Sequence, residues 1–215
     1  MAKVLIAIPT FENITPDTFK AIWDMDKGRH EVSFEFVRGY DCATARNKIA
    51  QKALDGGHEL LMMVDNDVTP PSDALVNLAS HGVDCASGFY LHRNASNEPS
   101  DRTCVCRLND RNGKAYFNYP AESEYTVGEL ADMRGRGENL VEIHGGGMGC
   151  VLVRTDVFRR VAYPWFDWVN YRDERRNTLS EDLYFCEELR KKGIPRYVDT
   201  RVACGHLFRR IEEAR

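Results

Sequence analysis

The stretch ELLMMVDNDVTPP, residues 59–71, limits what this chain can fold into more than any other. Residues 60–64 are apolar on both faces and too short to cross a bilayer, which fits a strand buried on both sides in a parallel sheet. The run ends abruptly in Asp65, Asn66 and Asp67. In an open α/β sheet the carboxyl ends of the strands border the crevice that takes ligands. Two carboxylates held there one residue apart suit a hard divalent cation, which keeps several waters and accepts further oxygens from a diphosphate. The plainer reading is that Asp and Asn are turn formers and that Ser72 or Asp73 caps the next helix.

The flanking sequence places this strand in an α/β domain. Residues 3–8 read as a first buried strand stopped by Pro9 and Thr10, and residues 16–23 as a helix with Pro16 in its first turn. A second strand at 31–37 precedes a helix at 43–54, with Ala45, Ile49 and Ala53 on one face. Two strand-helix units ahead of the 60–64 strand predict a mostly parallel central sheet flanked by helices. A helix at 72–80 and a short strand at 83–87 follow.

Beyond Gly88 the periodicity weakens. Residues 103–108 and 115–119 flank Asn109-Asp110-Arg111-Asn112-Gly113, a hairpin signal because Asn-Gly tolerates positive φ. Residues 122–138 show no clear period and read as a loop or surface excursion. Strands at 140–143 and 150–153 bracket His144-Gly145-Gly146-Gly147-Met148-Gly149, where the glycines admit a close ligand or a neighbouring strand. The spacing is not GxGxxG opening a helix, which argues against a dinucleotide site. Trp165 and Trp168 fall on a loop, where indoles either stack on sugar faces or plug a core. Residues 171–177 are a run of charges, usually solvated surface. Ser180 caps a last helix with Glu181 and Asp182 in its first turn, a place the macrodipole alone favours for acids but also one that aims a carboxylate rigidly. A strand at 196–199 leads to Gly205 and His206, and a lone histidine is more often packed than ligating.

The totals exclude several classes. A chain of 215 residues suits one sizeable domain, and a net charge of −4 with both signs mixed leaves no basic footprint for nucleic acid. No apolar run reaches transmembrane length, and the opening MAKVLIAIPT reads directly as a strand with no signal-peptide layout, so a cytoplasmic protein is expected. The seven cysteines are scattered, as expected of small buried hydrophobes in a reducing compartment. Cys104 and Cys106 form the only close pair, and without a second pair a zinc site is not expected.

Taken in order, Ile8-Pro9-Thr10, Ala45-Arg46-Asn47, Asp65-Asn66-Asp67, the glycines at 145–149, Glu181-Asp182 and Gly205-His206 resemble the GT-A-fold glycosyltransferases, particularly the inverting family 2 group with its DxD motif. Residues 90–138 lie outside the match. Phe11-Glu12-Asn13 stands where the family has an aromatic-Asn pair, and the acid pair lacks the longer family signature. The resemblance implies a Rossmann-like nucleotide-diphospho-sugar transferase fold in a single domain, 1–215, with a nucleotide-binding half at 1–88 and an acceptor-side half at 89–215. It implies that Pro9, Thr10, Phe11, Glu12, Asp41, Arg46 and Asn66 bind the nucleotide, and that Asp65, Asp67 and His206 hold Mn²⁺ or Mg²⁺. Asp182 would be the general base, with Glu181 as the alternative. Gly146, Gly147, Trp165 and Trp168 would shape the sugar and acceptor pockets. The implied reaction is hexosyl transfer from a UDP- or GDP-sugar to a hydroxyl of a glycan or glycolipid.

Three other readings stay open. Asp65-Asn66-Asp67-Val68-Thr69 fits the nucleophile motif of haloacid-dehalogenase-type phosphatases, although that motif follows the first strand of its fold and no downstream Gly-Asp-x-x-x-Asp accompanies it here. A nucleotidyltransferase shares the donor chemistry. A non-catalytic nucleotide- or sugar-binding module would keep the pocket without the base.

Overall fold

Strands apolar on both faces need cover on both faces, and helices supply it on either side of one large sheet. The computed structural model describes residues 1–92, 95–107, 123–170 and 178–207. In chain order the first elements are β1 (Lys3–Thr10), α1 (Pro16–Asp24), β2 (Glu31–Arg38), α2 (Cys42–Asp55), β3 (Leu60–Val64), β4 (Val68–Thr69), α3 (Ala74–Ser80) and β5 (Cys85–Phe89). Then come β6 (Arg102–Arg107), β7 (Glu124–Thr126), α4 (Val127–Gly135), β8 (Leu140–Gly146), β9 (Cys150–Arg154) and α5 (Val157–Arg160). The chain closes with β10 (Val169–Asn170), β11 (Thr178–Leu179), α6 (Glu181–Lys191), β12 (Arg196–Ala203) and β13 (Gly205–His206).

The nine-stranded sheet has the order β2-β1-β3-β9-β5-β12-β8-β6-β7. Six strands run one way, and β7, β8 and β9 oppose them. Strand β9 runs antiparallel between β3 and β5, with Val64 opposite Cys150 and Cys85 opposite Val153. A strand from the second half of the chain is thereby sewn between two from the first, bringing the glycine segment to the end of β3.

One face of the sheet, with Leu5, Ala7, Leu61 and Met63, packs under α2, α5 and α6 through Ala45, Ile49, Phe158 and Phe185. The other face, with Val4, Ile6, Ile8 and Met62, packs under α1 and α3 through Ile22, Leu75 and Leu78. Helix starts follow local chemistry. The Thr15 hydroxyl accepts the Thr18 amide at 3.2 Å ahead of Pro16, and Asp41 Oδ1 accepts the Thr44 amide at 3.0 Å.

Residues 122–138 correct the expectation of an aperiodic loop. They include β7 and α4, and α4 opens with a capping box in which Thr126 accepts the Glu129 amide at 3.2 Å and Glu129 accepts the Thr126 amide at 2.8 Å. Of the expected hairpin, the first arm is β6, whereas the Asn-Gly turn and the arm at 115–119 lie outside the described residues, as does the charged run at 171–177. Among the described residues no helix is long and apolar enough to cross a membrane. All seven cysteines are free thiols.

Candidate functional site

The carboxyl ends of β1, β2 and β3 open a cleft of about 340 Å³, lined by Pro9, Thr10, Phe11, Asp41, Asp65, Asn66 and Asp67, all singled out from sequence, together with Tyr40, Cys42 and Ala45. Asn66 braces its floor. Its Nδ2 donates to the Asn13 carbonyl at 2.8 Å while the Thr15 amide donates to the Asn66 carbonyl at 3.1 Å, tying the aspartate turn to the loop after β1. Asp41 serves the cleft and the cap of α2 together, and the hydrogen bonds from Thr44 hold its carboxyl below the ordinary range. Glu12 is exposed beside Phe11 and does not line the cleft.

Arg46 lies beneath the cleft, 2% exposed. Its Nη2 donates to Asp65 Oδ1 at 2.8 Å and its Nε to Glu181 Oε1 at 3.3 Å. Burial works against the charge, but Asp65, Cys42 and Glu181 around it raise the guanidinium pKa further. Arg46 therefore positions Asp65 from below and does not line the cleft, which corrects its expected place. Burial pushes the Glu181 carboxyl up despite Arg46, and it pushes the Cys42 thiol up to about 12. Asp182 is half-buried, and its Oδ1 accepts from the Ser180 hydroxyl and from the Leu183 amide, the latter at 2.8 Å. Its charge and that of Asp65 both act on Arg46 and on the Tyr90 hydroxyl.

His206 reaches the aspartates through the pairing of β13 with β4, which sets it opposite Val68, while the Leu207 amide donates to the Asp67 carbonyl at 2.8 Å. His206 Nε2 stands 3.6 Å from Asp67 Oδ2, and Nδ1 lies 2.8 Å from the Leu91 carbonyl. A carbonyl only accepts, so Nδ1 carries the proton and Nε2 is turned to the Asp67 side, the orientation an outer-shell carbonyl gives a ligating histidine. Among the described residues no three His, Cys, Asp or Glu side chains form a ready-made metal cluster. The expected three-ligand set is thus not preassembled, and Asp65 Oδ1 is paired with Arg46. Asp67 and His206 are the side chains here that could hold a cation drawing its remaining ligands from water and phosphate.

The glycine segment is shaped by the protein itself. A Cβ on Gly146 would stand 2.8 Å from the Cys104 carbonyl oxygen, and one on Gly147 or Gly149 would collide with the Tyr90 ring or hydroxyl. The Gly149 amide donates to the Tyr90 hydroxyl at 3.1 Å, and the Asp65 amide donates to the Gly149 carbonyl at 3.0 Å. Arg196 holds the carbonyls of Gly146 at 2.7 Å and Gly147 at 2.8 Å. The glycines therefore admit neighbouring chain, with Gly146 and Gly147 packed against Cys104, Tyr90 and Arg196. Trp165 is a correction. It is 5% exposed, and its indole N–H donates to the Phe158 carbonyl at 2.8 Å, so it plugs the core and has no face for a sugar. Trp168 is 46% exposed. Tyr90 went unnoticed in the sequence, where it stands in an aperiodic stretch.

No protein-family model and no curated protein matches the chain. Solved structures do. A197 from STIV is similar with a TM-score of 0.63 and 16% identity, over 96% of this chain and 86% of that one. GalNAc-T7, in a structure with UDP, GalNAc and Mn²⁺, is similar with a TM-score of 0.60 and 12% identity, over 97% of this chain and 44% of that one. The chain thus has a GT-A-like fold, a mixed α/β sheet flanked by helices, and it spans less than half the length of the glycosyltransferase with which it shares that fold.

Proposed function

We propose that the protein is a metal-dependent glycosyltransferase that moves a sugar from a nucleoside diphosphate sugar to a hydroxyl acceptor with inversion. The observation that carries this reading is the meeting of Asp67 and His206, 3.6 Å apart, at the rim of the cleft that Asp65, Asn66 and Asp41 line. In it, Pro9, Thr10, Phe11 and Asp41 receive the nucleoside, Asp67 and His206 hold Mn²⁺, and Arg46 fixes Asp65 toward the same place. When bound, the ion stabilises negative charge on the departing diphosphate without needing a proton. The residues of the chain supply the rest. Asp182 takes the proton from the attacking hydroxyl, a role worth about a hundred- to ten-thousandfold in rate. Glu181 is the poorer choice of base, because its carboxylate is engaged by buried Arg46. Trp168 offers an exposed ring to the acceptor.

The fold at this cleft argues against the phosphatase reading, since Asp65 follows the third strand and not the first. The test is a panel of UDP- and GDP-sugars with Mn²⁺ or a chelator, read by donor hydrolysis, transfer and thermal shift. A nucleoside diphosphate released only with metal supports the proposal. Silence from every member contradicts it, pyrophosphate release indicates nucleotidyl transfer, and donor binding without turnover on any acceptor indicates a binding module.

A further inference from the structure

The apolar stripe on one face of the sheet runs off its edge. Parallel pairing with β1 sets Val32, Phe34 and Phe36 beside Val4, Ile6 and Ile8, the spine of the core under α1 and α3. Val32 still packs on that core, but Phe34 and Phe36 are 43% and 41% exposed. On α1, on the same side, Phe19 and Trp23 stack with centroids 6.1 Å apart and are 48% and 68% exposed. Strand β2 is terminal in the sheet, so among the described residues one edge of its eight-residue backbone has no strand partner. Edges are ordinarily kept short, bulged or charged, because a long apolar edge recruits another strand. Here Glu31 and Glu35 charge one face of the edge strand, while Val32, Phe34 and Phe36 stand on the other.

We propose that β2 is the interface of a homodimer in which two copies pair antiparallel about a two-fold axis at Phe34 and join their sheets. A two-fold normal to the sheet keeps each face with its like, so residues equidistant from Phe34 meet. Phe34 then faces its twin, Val32 faces Phe36, Ser33 faces Glu35 and Glu31 faces Val37. No like charges are directly opposed, and Glu35 keeps its ion pair with Lys52 at 3.2 Å. Moving the axis to Glu35 would set two carboxylates against each other. Aromatic and β-branched cross-strand pairs are among the most stabilising. Phe34 and Phe36 alone offer roughly 130–200 Å² per copy, from the area of such side chains and their exposure. With the strand edges added, two copies form a small interface under the roughly 1,200 Å² at which the standard class begins, so association in the micromolar range is expected. Arg38, the last residue of β2 and four past Phe34, then lies about 13 Å from the axis, with the cleft beyond it at the strand ends.

Sedimentation velocity on the full chain, from low to high micromolar concentration, tests this. The wild type is expected at twice the chain mass, and Phe34→Lys and Phe36→Lys at the single chain mass with unchanged far-ultraviolet circular dichroism and a dissociation constant raised at least about tenfold. A wild type that stays monomeric throughout overturns the proposal even if neither variant folds, as does a folded Phe34→Lys that dimerises as tightly. A monomer that floats with phosphatidylglycerol vesicles would assign the aromatics to a membrane surface and overturn it too.

Discussion

The ring of Tyr90 meets the His206 imidazole edge-on, with centroids 5.1 Å apart and planes at 66°. The same tyrosine accepts the Gly149 amide, and Gly149 in turn holds the Asp65 amide, so one side chain ties both arms of the candidate metal site. Removing the hydroxyl in Tyr90→Phe leaves a buried amide without its acceptor, at a cost of about 1–3 kcal/mol. Denaturant unfolding should show that loss, and metal-linked nucleotide binding should weaken by about tenfold as the outer shell loosens.

The glycines at 147 and 149 are there for Tyr90. Gly149→Ala would put a Cβ 2.9 Å from the tyrosine ring and is expected to cost about 1–3 kcal/mol. Combining it with Tyr90→Ala should be less damaging than the sum of the single changes, by at least about 0.5 kcal/mol in a double-mutant cycle. Strict additivity would mean that the glycine answers to something else.

Asp65 and Asp67 should separate by what they cost. Asp65→Ala leaves buried Arg46 with one fewer carboxylate and should destabilise by about 3 kcal/mol, the lower end for a broken buried pair because Asp65 is a quarter exposed. Asp67→Ala, which leaves no buried guanidinium unpaired, should cost less than Asp65→Ala. Both should abolish metal-linked nucleotide binding, as read by calorimetry. Asp182→Asn should leave binding intact and slow transfer at least about a hundredfold.

Far from the cleft, Asp199 is fully buried and gives the pH dependence. Burial opposes its ionisation, but hydrogen bonds from the Arg201 guanidinium at 2.6 and 3.0 Å, from the Arg201 amide at 2.9 Å and from His81 at 2.7 Å hold its carboxyl below the ordinary 3.8. A depressed acid contributes stability that is present above its unfolded pKa and is lost as pH falls through the folded one. The wild type should therefore lose stability steeply below about pH 4, while Asp199→Asn should be weaker at neutral pH by about 1.5–3 kcal/mol and lose less on acidification. An identical pH slope in both would contradict the assignment.

What the sequence showed depended on how local each signal was. The buried strand at 60–64, the helix carrying Ala45, Ile49 and Ala53, and the DxD turn were legible because periodicity and turn chemistry are set by neighbours in the chain. The capping box from Thr126 to Glu129 was equally local and was passed over in a stretch without apolar period. Trp165 could not be assigned from sequence, since an indole on a loop reads the same whether it faces solvent or core until the fold closes around it. The antiparallel place of β9 and the reach of Tyr90 to Gly149 are long-range, 59 residues apart in the latter case, and no local pattern encodes them.

The central claim is that Asp67 and His206 hold a cation against a nucleoside diphosphate. Its most direct measurement is calorimetric titration of the wild type with UDP and with GDP, in Mn²⁺ and in chelator, repeated on His206→Ala. The account predicts binding of at least one nucleotide that requires Mn²⁺ and that weakens at least about tenfold in His206→Ala. Nucleotide binding of equal strength with and without metal, or no change when His206 is removed, would contradict it.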